Sequence, residues 1–180
     1  MLLRPLERSS NEGPELKRVY LVPNRCLGCE ECIEACKREH DWVACNYIEW
    51  VNRIYPVQMV CNHCAEAPCE LICPAGAIHR TETGAVVVED DKCIGCTLCN
   101  IVCPFGIPKF SEEDRHAIKC DQCAERVAAG KEPACVEACP MKALTFAEVE
   151  DYEAERRERT ARRILEVGTC LRRFVAKKES

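Results

Sequence analysis

The chain has 180 residues, of which eighteen are cysteine and only four histidine. So many thiols suit either a short secreted disulfide scaffold or a metal protein. Residues 1–8 carry no apolar h-region or small-residue cleavage site, no twin-arginine signal precedes an apolar segment, and no run of roughly 18 apolar residues occurs. The expectation is a cytoplasmic chain with reduced thiols, metal-holding cysteines and no direct membrane span. The net charge of −5 divides into −8 over residues 1–150 and +3 over residues 151–180. An acidic body lacks the basic footprint that nucleic-acid binding needs.

In chain order, residues 18–22 read as a strand leading into a first cysteine run, Cys26, Cys29, Cys32 and Cys36, with a short helix over residues 30–37. Residues 55–60 read as a strand before the second run, Cys61, Cys64, Cys69 and Cys73. Strands over 77–80 and 85–90 are joined by a turn whose Gly84 suits a hairpin. The third run is Cys93, Cys96, Cys99 and Cys103, with a helix over 97–102. The fourth, Cys120, Cys123, Cys135 and Cys139, encloses a helix over 124–129 that Gly130 ends, and a strand over 143–149 follows. From about residue 147 to 166 the chain has strong helix formers and no Gly or Pro, with Glu153–Arg157, Glu155–Arg159 and Glu158–Arg162 as favourable i,i+4 pairs. Val149, Tyr152, Ile164, Leu165 and Leu171 offer too little apolar surface for an independent bundle. A helix lying on the body is the simplest expectation, and an arm docking another subunit the alternative.

Sixteen cysteines fall in the four runs, leaving Cys45 and Cys170 as small hydrophobes. Zinc closes with four ligands, usually two separated Cys-x2-Cys pairs or a set with histidine. The first and third runs instead read C-x2-C-x2-C-x3-C, the bacterial ferredoxin spacing for [4Fe–4S] clusters. Three closely spaced thiolates on a tight loop face one cubane. The fourth, three residues on, starts away from it and reaches another, so such runs work in pairs. Gly28 and Gly95 let the backbone pass close to inorganic sulfide. Pro74, Pro104 and Pro140 set φ as the chain leaves each site. His63, inside the second run, is expected to line a cluster and donate a hydrogen bond. His40, His79 and His116 read as surface or packing residues. If runs share cysteines with their neighbours, the middle two form one half and the outer two meet around it. The fold expected is α+β: two ferredoxin-like halves, the second (55–111) inserted in the first (18–54 and 112–149), with an N-terminal arm (1–17) and a C-terminal helical tail (150–180).

The stretches Cys26-Leu27-Gly28-Cys29, Cys61-Asn62-His63-Cys64, Cys73-Pro74-Ala75-Gly76, Cys93-Ile94-Gly95-Cys96, Cys103-Pro104-Phe105-Gly106 and Lys119-Cys120-Asp121-Gln122-Cys123 together resemble the four-cluster iron–sulfur subunits of the dimethyl sulfoxide reductase family. Electron-transfer subunits of formate dehydrogenases, hydrogenases, carbon monoxide dehydrogenase and tungsten aldehyde oxidoreductases belong to the same broad group. Lys37 after the first run, where the others have Pro, matches the family's first group. The resemblance implies cross-ligation: Cys26, Cys29, Cys32 and Cys139 on one cluster, and Cys36, Cys120, Cys123 and Cys135 on the next. Cys61, Cys64, Cys69 and Cys103 would hold a third, and Cys73, Cys93, Cys96 and Cys99 the last. Some relatives lose a third-run cysteine; Cys96 is present, so four [4Fe–4S] clusters are expected.

Cubanes ligated wholly by cysteine have no open coordination position and exchange single electrons. No phosphate loop or nucleophile pattern accompanies them, so the chain reads as no enzyme on its own. The expected role is an electron-transfer subunit working between a large catalytic oxidoreductase subunit, of molybdenum, tungsten or carbon monoxide dehydrogenase type, and a second partner: a flavin-containing reductase subunit, a hydrogenase or a ferredoxin. The alternatives are a free polyferredoxin and self-association into a conducting filament through the tail.

Overall fold

A computed structural model describes residues 17–176, with side chains of the last helix described as far as Glu166. The expected arm 1–17 falls almost wholly outside the described residues, as do the side chains of Cys170 and Leu171. In chain order the elements are β1 (Lys17–Leu21), α1 (Glu31–Glu39), β2 (Tyr47–Val51), β3 (Tyr55–Met59), α2 (Pro68–Leu71), β4 (Ile78–Arg80) and β5 (Val86–Val88). There follow α3 (Leu98–Val102), β6 (Lys109–Phe110), β7 (Ala117–Ile118), α4 (Ala124–Ala128), α5 (Ala134–Glu137), β8 (Leu144–Glu148) and α6 (Val149–Ala176).

The strands form four antiparallel pairs. Three join sequence neighbours, β2–β3, β4–β5 and β6–β7, and one joins distant segments, β1–β8. That long-range pair runs from Lys17↔Glu148 to Leu21↔Leu144. It draws the segment before the first cysteine run against the segment after the fourth.

The apolar core is divided and sulfur-rich. Val19, Val136, Ala143 and Leu144 pack with Cys32, Cys135 and Cys139, while Ala67, Ile78, Val86 and Ala117 pack with Cys69 and Cys99. Such small cores bury little carbon, so metal ligation is the natural source of the remaining folding free energy.

The strands expected at 18–22, 55–60, 77–80, 85–90 and 143–149 form, the first starting one residue earlier and the others trimmed. β2 and the β6–β7 pair escaped the sequence reading. In β2 the side chains of Glu49, Trp50 and Val51 are exposed, so no buried stripe marks it as a strand. The tail forms a helix, but one that projects from the body. Tyr152 stacks on Tyr20 (ring centroids 4.1 Å apart) and donates its hydroxyl to the Leu21 carbonyl (3.3 Å), whereas Ile164 and Leu165 remain exposed. Glu153–Arg157 and Glu158–Arg162 pair as expected (3.3 and 2.6 Å). Glu155–Arg159 does not, because Arg159 turns into the cleft between α6 and Leu21–Asn24.

Candidate functional site

The first and third runs are built alike. A 3-10 turn enters each, Pro23–Arg25 and Asp90–Lys92, and the first cysteine closes it: Cys26 N–H donates to Pro23 O (3.2 Å), Cys93 N–H to Asp90 O (3.0 Å). Gly28 and Gly95 follow at φ 70° and 69°, a region costly for residues with a Cβ. The room is missing too: a Cβ on Gly28 would lie 2.5 Å from the Trp50 ring, and one on Gly95 2.8 Å from the Arg115 carbonyl. Glu30 and Thr97, both left-handed at the helix starts, turn the chain into α1 and α3. The first of these short helices carries Cys32 and Cys36; the second carries Cys99, with Cys103 just past its end.

The second and fourth runs also match. His63 and Gln122, each one residue before the second cysteine, have φ of 43° and 65°. A one-turn helix opened by proline, α2 after Ala67 and α5 after Pro133, then presents Cys69 and Cys135.

Four cavities result, and four of the run thiols line each. Cys26, Cys29, Cys32 and Cys139 surround one of about 340 Å³. Cys61, Cys64, Cys69 and Cys103 surround another of about 370 Å³. Cys73, Cys93, Cys96 and Cys99 line a third of about 330 Å³, and Cys36, Cys120, Cys123 and Cys135 a fourth of about 300 Å³. Each set joins two runs. Cys29 and Cys96 are exposed, so the first and third of these cavities reach the surface, whereas all four thiols of the last are buried.

Backbone amides support the sulfurs. Ala143 N–H donates to Cys139 Sγ (3.2 Å), His63 N–H to Cys61 Sγ (3.4 Å), Ala117 N–H to Cys93 Sγ (3.4 Å) and Gln122 N–H to Cys120 Sγ (3.3 Å). Donors of this kind stabilise a thiolate and tune any metal it binds. By themselves the thiols resist ionisation. Burial, then the neighbouring thiols Cys26, Cys139 and Cys29, push Cys32 up to about 11; burial, and then Asp121, pushes Cys123 up to about 12. Cys120 is raised by burial and then by Cys135, and Cys135 by burial and then by Cys123. A cationic metal core offsets this resistance by binding the deprotonated sulfur.

Two further groups show what the cavity of Cys61, Cys64, Cys69 and Cys103 suits. Lys119 and His63 both line it. Lys119 is 6% exposed, and no carboxylate among the described residues pairs with it. Its ammonium donates only to the carbonyls of Cys120 (2.8 Å) and Val86. His63 is 2% exposed and accepts the Val86 N–H at Nδ1 (2.9 Å), which leaves the proton on Nε2, a buried atom with no partner among the described residues. Burial, and then the cations Lys119, Arg18 and Arg80, hold this imidazole well below its usual range, so it stays neutral. A buried, unpaired cation and an orphan N–H are both costly. An anionic, sulfur-rich group in the cavity satisfies both, so the residues fit an iron–sulfur cluster. A single zinc ion held by four sulfurs brings no inorganic sulfide for these donors to meet.

Two residues have contacts here beyond those their sequence pattern suggests. His40 lies against the cavity of Cys36, with Nε2 at 3.5 Å from Cys123 Sγ and 3.4 Å from Asp121 Oδ1. Cys45 is buried, as a small hydrophobe would be, but it also has a polar role. Its N–H donates to Cys36 Sγ (3.3 Å), its thiol donates to the Val43 carbonyl (3.8 Å), and the Cys45 thiol beside Cys36 holds that sulfur down to about 6. Both depend on the loop between α1 and β2 folding back over Cys36, which no local pattern announces. His79 and His116 sit beside Glu89 and Asp90 (3.1 and 3.6 Å) and line none of the four thiol cavities.

Comparisons with known proteins find iron–sulfur domains over the same stretch of chain. A 4Fe-4S dicluster domain matches residues 52–149 and a 4Fe-4S binding domain residues 23–39. The chain is 39% identical over 151 residues to the probable anaerobic dimethyl sulfoxide reductase chain YnfG of Escherichia coli, covering 73% of each chain. The chain belongs to the dimethyl sulfoxide reductase iron–sulfur subunit family. It is also 38% identical over 145 residues to the thiosulfate reductase electron transfer subunit PhsB of Salmonella typhi, covering 73% of this chain and 76% of that one. To the NrfC homolog of Haemophilus influenzae it is 38% identical over 162 residues, covering 82% of this chain and 72% of that one. Within its family it is an iron–sulfur electron-transfer subunit of an oxidoreductase complex, not the catalytic subunit. No helix among the described residues is long and apolar enough to cross a membrane.

Proposed function

We propose that this subunit holds four [4Fe–4S] clusters, one in each thiol-lined cavity, and passes single electrons along them between a catalytic subunit and a second redox partner. The observation that carries the reading is the grouping of sixteen thiols into four sets of four. Each set draws on two runs, which supports cross-ligation: Cys139 completes the first-run set, Cys36 the fourth-run set, Cys103 the second-run set and Cys73 the third-run set. The β1–β8 pairing, with the second and third runs between its strands in sequence, supports an α+β fold in which one ferredoxin-like half is inserted in another.

A cluster held by four thiolates supplies one-electron transfer with no open position for substrate. The chain's own residues then do three things. The run thiols bind, the amides of Ala143, His63, Ala117 and Gln122 orient and stabilise the sulfurs, and the packed cores keep water from the inner sites. The exposed Cys29 and Cys96 suit the two ends of such a relay. The catalytic partner we favour is a molybdenum- or tungsten-containing subunit, in line with the reductase names among the relatives, and α6 is the arm that would meet a partner. Loading of so many thiols calls for a reducing compartment, which favours the cytoplasm.

Cys139→Ser tests the assignment. The EPR signal of the cluster bound by the first run should be lost or altered while that of the fourth-run cysteines persists. Disturbance of the fourth-run signal alone would reject the shared ligation.

A further inference from the structure

Two of the four cavities adjoin, since Cys61 packs against the buried group of Cys36, Cys45 and Cys120. Lys119 stands at that junction. It lines the cavity of Cys61 while its ammonium donates to the carbonyl of Cys120, a residue of the other cavity. His63 shares its anchor, because the Val86 peptide accepts from Lys119 through its carbonyl and donates to His63 through its N–H. One buried residue of β5, 1% exposed, therefore positions both groups. No lysine, arginine or histidine lines the cavity of Cys26 or that of Cys73.

A cubane with four thiolates carries about −2 when oxidised and one more negative charge when reduced. Where two such sites adjoin, the charge of one opposes reduction of the other, and the low interior dielectric enlarges that opposition. A fixed ammonium beside them, and an N–H on the cavity wall free to meet the cluster, both favour the reduced form. We propose that Lys119 and His63 hold up the reduction potential of the cluster bound by Cys61, Cys64, Cys69 and Cys103 and lessen its repulsion with the neighbouring site, easing electron passage across the junction. The step is one electron in and one out. No bond forms or breaks in it and no group is transferred. This rests on the four-cluster reading above.

The test is a dye-mediated redox titration of the anaerobically purified full chain followed by EPR, with the relevant signal identified by its response to Cys64→Ser. His63→Asn keeps an acceptor for the Val86 N–H but loses the far donor, while His63→Gln places an N–H at the reach of Nε2. Lys119→Met removes the charge. At fixed ambient potential, His63→Asn and Lys119→Met should each lower the reduced-to-oxidised ratio of that cluster about tenfold, equal to about 59 mV for a one-electron couple. His63→Gln should fall less, and Lys119→Met should also widen the gap between the two adjoining centres. In unmodified protein carrying 15N-histidine, pulsed EPR should show a nitrogen coupling on that signal that His63→Asn removes; this reading stands even if a variant loses its cluster. Four clusters with unmoved potentials in both variants, or no histidine coupling in the unmodified protein, overturns the inference alone. A wild-type chain with no cluster responding to Cys64→Ser overturns the four-cluster reading with it.

Discussion

Around Cys61–Cys103 and around Cys36–Cys135 the chain builds the same corner twice and then furnishes it differently. Both corners have a left-handed residue before the second thiol, a proline-opened turn of helix carrying the third, and an amide on the first sulfur. In one corner the left-handed residue is His63, whose spare N–H remains free beside the thiols. In the other it is Gln122, whose side-chain amide donates to the Lys17 carbonyl and ties the corner to β1. The polar neighbours of the fourth-run corner are instead Cys45, whose N–H donates to Cys36, and His40 beside Cys123, both brought in by a separate loop. The backbone frame is thus repeated, while the groups that set the electrostatics belong to each site alone.

The largest expected effect concerns the frame. Gly95→Ala combines a left-handed Cβ, about 1–2 kcal/mol, with a clash against a backbone carbonyl, about 1–3 kcal/mol. It should lose the cluster of Cys73, Cys93, Cys96 and Cys99. Gly28→Ala meets the half-exposed Trp50 ring, which can swing away, and should keep its cluster at reduced thermal stability. Equal losses in iron content would break the contrast.

A difference in pH response comes next. Cys32 at about 11 and Cys123 at about 12 lie above an unfolded thiol near about 8.5. Groups raised in the folded state contribute stability that is complete below the unfolded value and lost as pH climbs through the folded one. Metal-free, reduced protein should therefore weaken between about pH 8.5 and 12, first around the outer runs. Hydrogen exchange that opens the 55–111 segment first would contradict this.

The smallest effect separates anchor from tuning. Gln122→Leu strands a carbonyl of β1 and should lower stability by about 1–3 kcal/mol, measured by denaturant titration, with cluster potentials unmoved.

Much of this was legible in the cysteine spacing. The four-thiol runs, the prolines that follow them, Gly28, Gly95 and the position of His63 beside a thiol set all follow from local pattern, because tight loops around a ligand admit few residues. The strands at 18–22 and 143–149 were readable, although their pairing over more than a hundred residues came only through the argument that runs share cysteines. Lys119 was invisible as a functional group. A lysine beside a cysteine reads as solvated, and only the fold shows it buried without a carboxylate. Cys45, His40 and β2 were missed for the related reason that long-range packing gives them their roles.

The count of iron and acid-labile sulfide in anaerobically purified protein tests the central claim most directly. Four loaded cavities require about sixteen of each per chain. Zinc without sulfide, or about eight iron atoms with half of the thiols open to alkylation, would contradict it.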